Sequence, residues 1–443
     1  MENEYYKPFQ NILYKEKSPN KSKQKKSRPI NLNIGIDFGT SYTKVCFSDS
    51  INSHNFVIFN NTEFKSSIIY CNYKDKIFYY NKPEIIENVI AVKYFKYSMI
   101  SDDLPRTKFL SSEITDIRPE ILCCVFFIAC LIKDIKTYIT KYYSTRIEQV
   151  KIDYSFTMGV PIENYANENR NLYDKVLNIA YKLTDFLTLD SISFSDLINF
   201  YKTNQNIKIM PFGQSNLNTL PELYAESLAF LQNRGVDTGV YALIDVGGGT
   251  VDMAILYKES PSIFSIISKE IQPLGIEIVS SKISIDINLI KKYLREMQLD
   301  SILQEQLRRT FAQMVMDLKG KKDDVLRSKD GRLSVIICGG GTNHKWYEDG
   351  IINKNVSLLR PILKEGLMLD LLAVEKLFPS NFNINHRLLV AYALSGRIGS
   401  EIVELHGYPW QFAEKSLGDS LKQSQYEKLL ETQRINFGGD RTV

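Results

Sequence analysis

Histidine is scarce in this sequence, with four in 443 residues, and the four show no metal-ligand spacing. They are His54, His344, His386 and His406. The six cysteines form no CxxC pair and lie mostly inside apolar runs: Cys46, Cys71, Cys123, Cys124, Cys130 and Cys338. This pattern argues against a zinc site or a disulfide framework. It favours buried thiols in a reducing compartment.

Long apolar runs are also missing. The longest, Ile121–Ile132, is too short to span a bilayer and ends at Lys133 and Asp134. Pro119 suits the first turn of a helix, so the run predicts a buried core helix. The polar N-terminus shows no signal-peptide core. We therefore expect a soluble cytoplasmic protein with no membrane association.

The chain has a net charge of +4, and its entire excess of positive charge lies in the first 30 residues. This segment holds eight Lys and Arg against three Glu, which leaves 47 basic and 48 acidic side chains elsewhere. Its Lys, Ser, Asn and Gln content predicts a disordered basic arm. Such an arm can bind nucleic acid or an acidic partner. A solvated tail is the simpler interpretation, because no aromatic residue interrupts the basic run after Lys15. Tyr5, Tyr6 and Phe9 ahead of that run keep a partner-docking role open.

Strands and helices recur along the chain in two similar halves. Predicted strands are Asn33–Ile36, Val45–Phe47, Ser67–Tyr70, Lys76–Tyr80, Tyr154–Val160 and Val335–Cys338, and a strand-turn-strand unit spans Tyr241–Tyr257. Predicted helices are Ile121–Tyr143, Asn167–Leu187, Pro221–Gln232 and Asp300–Lys319. The repetition implies two related α/β lobes.

Three glycine-rich turns each follow an apolar strand. They are Asp37-Phe38-Gly39-Thr40-Ser41-Tyr42-Thr43-Lys44, Asp245-Val246-Gly247-Gly248-Gly249-Thr250-Val251-Asp252 and Cys338-Gly339-Gly340-Gly341-Thr342. Glycine lets backbone N–H groups approach phosphate oxygens without a Cβ in the way. Any one of these turns alone is more often a plain tight turn. Three in this order indicate a nucleotide site, while GxxxxGK[ST] and GxGxxG motifs are absent.

The polar residues of these turns suit phosphate and magnesium. The hydroxyls of Thr40, Ser41 and Thr250 can add hydrogen-bond donors without bulk. Asp37 and Asp245 stand at strand ends, where carboxylates can hold the waters of a bound magnesium ion. Lys44 can neutralise charge on the β and γ phosphates.

Five segments resemble one superfamily. Gly35–Ser41 is similar to the first phosphate loop of DnaK-type heat-shock chaperones, actins and sugar kinases, and Ile244–Asp252 resembles the chaperones' second phosphate loop. Cys338–Thr342 resembles the adenosine loop. Pro221–Ala229 and His386–Gly396 resemble the first and second connecting helices. These motifs occur in the superfamily's order, over about residues 31–400.

The resemblance implies a two-lobed actin-like ATPase fold, each lobe a mixed five-stranded β-sheet flanked by helices, with a nucleotide cleft between the lobes. The implied division is the basic arm at 1–30, lobe I at 31–238 and lobe II at 239–385. Residues 386–443 supply the second connecting helix, then a C-terminal helix and tail.

The resemblance also implies roles for individual residues. Asp37 and Asp245 would organise Mg²⁺ through its waters, and Glu222 would lie near the attacking water. Lys93 loosely matches the chaperones' catalytic lysine, and a surface lysine is an equal alternative. The implied ATP/ADP-binding set is Gly39, Thr40, Ser41, Tyr42, Lys44, Gly247, Gly248, Gly249, Thr250, Gly339, Gly340, Gly341 and Thr342. Hydrolysis on such a site needs no protein nucleophile, because water attacks the γ-phosphate.

The chain also departs from the chaperone pattern. Lys44 is typical of actins and sugar kinases. Only 94 residues separate Asp245 from Gly339, so the adenosine-contacting subdomain is short. We expect one of Arg308, Arg309 or Lys319 to contact the adenosine in its place. With 43 residues after Ser400, we expect no peptide-binding domain.

Three functions fit this pattern. The first is a chaperone-like ATPase switch that signals to a partner protein through lobe closure. The second is an actin-like, filament-forming ATPase of the plasmid-segregation or cytoskeletal type. The third, a small-molecule kinase, needs a carboxylate base that we do not find. A degenerate ATPase is disfavoured because Asp37, Glu222, Asp245 and Thr250 are all present.

Overall fold

The computed structural model describes residues 29–49, 54–85, 87–99, 117–144, 151–161, 168–187, 190–210, 214–231, 237–260, 263–279, 302–315, 332–340, 345–348, 351, 368–371 and 386–396. Most of the basic arm, Gly341, Thr342 and residues 397–443 therefore lie outside the described residues. Within the described part, no helix has the length and apolar character needed to cross a membrane.

The described elements alternate between strands and helices. The strands are β1 Ile30–Phe38, β2 Tyr42–Ser48, β3 His54–Phe56, β4 Lys65–Ser66, β5 Ile69–Asn72, β6 Ile77–Tyr79, β7 Val89–Val92, β8 Ile152–Val160, β9 Ser191–Ser193, β10 Leu217–Pro221, β11 Gly239–Val246, β12 Val251–Ser260, β13 Ile263–Gln272, β14 Arg332–Cys338 and β15 Met368–Leu371. The helices are α1 Phe95–Ser98, α2 Pro119–Ser144, α3 Glu168–Thr184, α4 Phe194–Asn204, α5 Glu222–Leu231, α6 over 302–315, α7 Lys345–Glu348 and α8 Leu389–Ser395.

Two of the three sheets share one topology. The first has the order β10-β8-β1-β2-β3, with β4 pairing to β2, and the second has the order β13-β12-β11-β14-β15. In each sheet an antiparallel hairpin is extended by a third antiparallel strand on one side. Two parallel strands extend it on the other side. The α/β class and the repeated strand-turn-strand unit are thus confirmed. A four-stranded sheet, β7-β5-β6-β9, is separate.

Helix α2 confirms the prediction of a buried core helix. Side chains 122–132 are all at most 1% exposed. Phe38 of β1 and Phe47 of β2 pack against aromatic rings of α2, and α3 and α4 also contact this helix. All six cysteines are buried thiols that form no disulfide, as predicted. Burial raises the pKa of the Cys46 thiol to about 12, which keeps it protonated and unreactive at neutral pH.

Helices α5 and α8 connect the two large sheets. Both belong to an apolar cluster with side chains of β11, β12 and β14, while α8 also contacts β1 and β2. The approach to β1 is close: a Cβ on Gly35 would lie 2.3 Å from the Ala391 carbonyl oxygen. The hydroxyl of Ser48 donates to the Ser395 carbonyl oxygen, and His54 Nδ1 lies 2.9 Å from Ser395 Oγ. Glycine in β1 is therefore required for α8 to pack.

We expect Gly35→Ala to lower the free energy of unfolding by about 2 kcal/mol or more, because the added methyl group overlaps the α8 backbone. Urea denaturation measures the change. The matched control is Gly340→Ala, whose Cβ would meet its nearest atom, Arg387 Nε, at an ordinary 3.8 Å. Equal stability of Gly35→Ala and the wild type would contradict the described α8 packing.

Candidate functional site

The first two glycine-rich turns are the hairpin turns of the two similar sheets. Asp37 is the next-to-last residue of β1 and pairs in register with Lys44 on β2. Asp245 occupies the equivalent place in β11 and pairs with Asp252 on β12. The repeat therefore places one aspartate just before each turn.

The two turns lie against each other. A Cβ on Gly248 would lie 2.6 Å from Ser41 Oγ, and one on Gly249 would lie 2.9 Å from the Tyr97 ring and 3.5 Å from Thr40 Oγ1. A methyl group at Gly248 would therefore displace the Ser41 side chain, and one at Gly249 would displace the Tyr97 ring. The predicted phosphate-binding residues of both sheets thus meet in one place.

Glu277 bridges the two halves at this contact. Its carboxylate accepts hydrogen bonds from Ser41 Oγ at 3.2 Å and from the Tyr94 hydroxyl at 3.0 Å. Its backbone N–H donates to the Gly248 carbonyl oxygen at 2.9 Å. Sequence reasoning missed Glu277, since its partners are separated from it by up to 236 residues.

Ser67 supports the first turn from behind. Its hydroxyl donates to the Gly39 carbonyl oxygen at 2.7 Å, and its backbone N–H donates to the Ser41 carbonyl oxygen at 2.9 Å. These bonds draw Ser67 out of strand pairing. The strand predicted at Ser67–Tyr70 therefore begins two residues later, at Ile69, and continues as β5 to Asn72, while β4 ends at Ser66.

A compact group of buried charges lies beneath the turns. Lys44 Nζ contacts Asp37 Oδ2 at 2.7 Å, and Lys96 Nζ contacts Glu222 Oε1 at 2.6 Å. The four side chains are at most 13% exposed. With half-buried Asp245 nearby, three carboxylates face two ammonium groups.

The electrostatics of this group show an excess of negative charge. Burial raises the pKa of Asp245 to about 7, and the charges of Glu222 and Asp37 add to the rise. Burial also raises the pKa of Glu222, against the attraction of Lys96. Burial lowers the pKa of Lys44, but the combined attraction of Asp37, Asp245 and Glu222 outweighs burial and leaves that pKa raised. A bound cation would relieve this excess.

The lysine that reaches Glu222 is Lys96, not the predicted Lys93. Lys93 is exposed just after β7. Tyr94 then takes a left-handed conformation, with φ 59°, and α1 begins at Phe95. Because of this bend, Lys96 turns inward, while Lys93 faces solvent. The only sequence signal was the place of Lys96 between aromatic residues, which suits a buried stem.

Glu222 stands at the carboxyl end of a parallel strand. It is the first residue of α5 and follows Pro221, the last residue of β10. The helix predicted from Pro221 thus begins one residue later. Gly159, on neighbouring β8, leaves room for it, since a Cβ there would lie 2.8 Å from Glu222 Cγ.

The third glycine turn approaches Asp245. Gly339 follows β14 with φ +89°, a left-handed conformation that favours glycine. A Cβ on Gly339 would overlap Asp245 Oδ1, at 2.0 Å. The turn is thus held against the end of β11. Gly341 and Thr342 lie outside the described residues.

Two of the three basic residues predicted to contact adenosine lie in the described part of the chain. Arg308 and Arg309 both pair with Glu305 on α6, Arg309 Nε at 2.7 Å from its Oε1, and Lys319 lies outside the described part. Arg387, which sequence reasoning missed, lies beside Gly340.

The surroundings of Arg387 link the third turn to the first sheet. Its guanidinium carbon lies 4.2 Å from the centre of the Phe64 ring and 5.7 Å from that of Tyr42. Both distances suit cation–π attraction. Tyr42, predicted as a nucleotide-binding residue, is 43% exposed beside this cation.

A scan against protein-family models found no matching family for this chain, and a search of curated proteins found no matching relative.

Proposed function

We propose that this chain is a Mg²⁺-dependent ATPase of the actin, DnaK-type chaperone and sugar kinase superfamily, with its two similar sheets as the cores of two lobes. The observation that carries the proposal is the matching position of Asp37 and Asp245 in the two similar sheets. They hold equivalent places before two glycine turns that face each other. One nucleotide between the turns would meet both.

The buried charges fit a magnesium ion. Carboxylates that hold the ion's waters belong at Asp37 and Asp245, because Mg²⁺ prefers oxygen ligands and keeps several waters. The excess of carboxylates over lysines at this place supports a divalent cation as part of the working site. The bound ion would supply charge neutralisation at the phosphates.

Backbone and side-chain groups of the chain can bind the phosphates and position the attacking water. Backbone N–H groups of Gly248 and Gly249, with the hydroxyls of Ser41 and Thr40, can hold the phosphates. Glu222 can orient the attacking water, while Lys96 fixes the Glu222 carboxylate at 2.6 Å. Water then attacks the γ-phosphorus, the bond to the leaving ADP oxygen breaks, and ADP and phosphate are the products.

Nucleotide entry requires the two turns to separate. Hydrogen bonds and close packing hold the two turns together, through contacts of Glu277 with Ser41, Tyr94 and Gly248. Exchanging these bonds for phosphate contacts would change how the two halves meet. That coupling supports a switch whose partner protein senses the two arrangements.

The filament-forming alternative remains the second candidate, since Lys44 pairs with Asp37 in the turn, as the actin-type motif places a lysine there. We expect the protein to sediment as one small species with ATP, with ADP and without nucleotide. Sedimentation velocity with Mg²⁺ measures this, and Asp245→Ala provides the control. Large ATP-dependent assemblies, absent in the variant, would replace the switch proposal with the filament one.

A further inference from the structure

A second group of potential ligands lies beside the proposed magnesium site. One ligand atom from each of Glu226, Asp245 and Cys338 lies within 4.8 Å of the other two. Glu226 follows Glu222 by one turn of α5, so both carboxylates project from the same side of the helix. Cys338 ends β14 and pairs in register with Asp245 on β11. Three elements thus bring the group together.

Glu226 is the unusual member. It is 1% exposed, and its Oε1 accepts a hydrogen bond from Cys338 Sγ at 3.4 Å. Its Oε2 is buried with no hydrogen-bond partner among the described residues. A buried carboxylate oxygen without a partner is costly to keep, and a bound cation is one way to satisfy it.

We propose that Glu226, Asp245 and Cys338 bind a thiophilic divalent cation of the zinc class. Zn²⁺ accepts one thiolate sulfur at about 2.3 Å and carboxylate oxygens at about 2.0–2.2 Å in tetrahedral geometry. Three protein ligands leave the fourth position for water. Mg²⁺ prefers six oxygen ligands, so the thiol selects against it. On binding, Cys338 forms a metal–sulfur bond and its thiol proton passes to solvent.

Asp245 connects this site to the cleft. It is half-buried, whereas Glu226 and Cys338 are buried, so the cation enters past Asp245. One carboxylate then serves two ions, and the thiophilic cation and magnesium-bound ATP exclude each other. This competition rests on the proposed function, whereas cation binding itself does not.

Cobalt titration without nucleotide tests the site in the full chain. Co²⁺ replaces Zn²⁺ and shows a sulfur-to-metal charge-transfer absorption when a thiolate binds it. We expect this absorption at one Co²⁺ per chain in the wild type and its loss in Cys338→Val. Glu226→Gln should weaken Co²⁺ binding by about 100-fold or more, since even outer-shell changes cost 10–100-fold. Cys71→Val, which removes a buried strand cysteine elsewhere, should leave the titration unchanged.

No absorption in the wild type, or an unchanged one in Cys338→Val, would overturn the site. Circular dichroism shows whether each variant folds. If Cys338→Val does not fold, Glu226→Gln decides, because unchanged Co²⁺ affinity there contradicts the ligand set. Adding magnesium-bound ATP should reduce the absorption. An absorption that stays constant while ATP binds would disprove the competition and leave the cation site in place.

Discussion

Asp245→Ala is expected to lower Mg²⁺-dependent ATP turnover by about 1000-fold or more. The substitution removes a carboxylate from the centre of the charge group, where burial and the charges of Glu222 and Asp37 already raise its pKa to about 7. Without it, the ion that neutralises the phosphates loses one of its two anchoring groups. Phosphate release, measured with saturating Mg²⁺ and ATP, gives the comparison.

The matched control is Asp237→Ala. Asp237 is exposed just before β11, the strand that carries Asp245 near its other end. Its removal should leave phosphate release within about twofold of the wild type, because exposed charges outside a site contribute little. Wild-type turnover in Asp245→Ala would show that the site is wrongly assigned.

The second large effect is expected from Lys96→Met. This change leaves the Glu222 carboxylate buried without its 2.6 Å partner, so Glu222 no longer holds one position for the attacking water. We expect turnover to fall by about 100-fold. Lys93→Met, three residues earlier and exposed, should change turnover less than about twofold.

A second substitution at Glu222 separates the effect of Lys96→Met on stability from its effect on turnover. Breaking a buried ion pair on one side costs about 3–5 kcal/mol, so Lys96→Met should also unfold at lower urea concentration. Adding Glu222→Gln removes the unpaired charge and should restore part of the stability but none of the turnover. Equal losses of turnover in Lys93→Met and Lys96→Met would contradict the described cluster.

The sequence predicted those parts of the site that are determined by residues close to one another along the chain. An apolar strand followed by Asp and glycine signals a hairpin turn, and both Asp37 and Asp245 stand there in the structure. The apolar run of α2 signals a core helix in the same way. These features depend on residues a few positions apart.

Long-range contacts could not be predicted in this way. Lys96 is turned inward by the left-handed backbone of Tyr94, for which a tyrosine gives no signal. Glu226 meets Cys338 across 112 residues, and Ser41 meets Glu277 across 236. A single sequence shows that such residues are polar or small, but not which of them meet.

The central claim is that magnesium-bound ATP occupies the cleft between the two glycine turns. The most direct test is isothermal titration calorimetry, in which ATP is titrated into the full chain once with Mg²⁺ present and once with a chelator that removes Mg²⁺. We predict one ATP per chain with Mg²⁺, much weaker binding with the chelator, and loss of the Mg²⁺ effect in Asp245→Ala. No binding of ATP under either condition, or equal Mg²⁺ dependence in the variant, would contradict the claim.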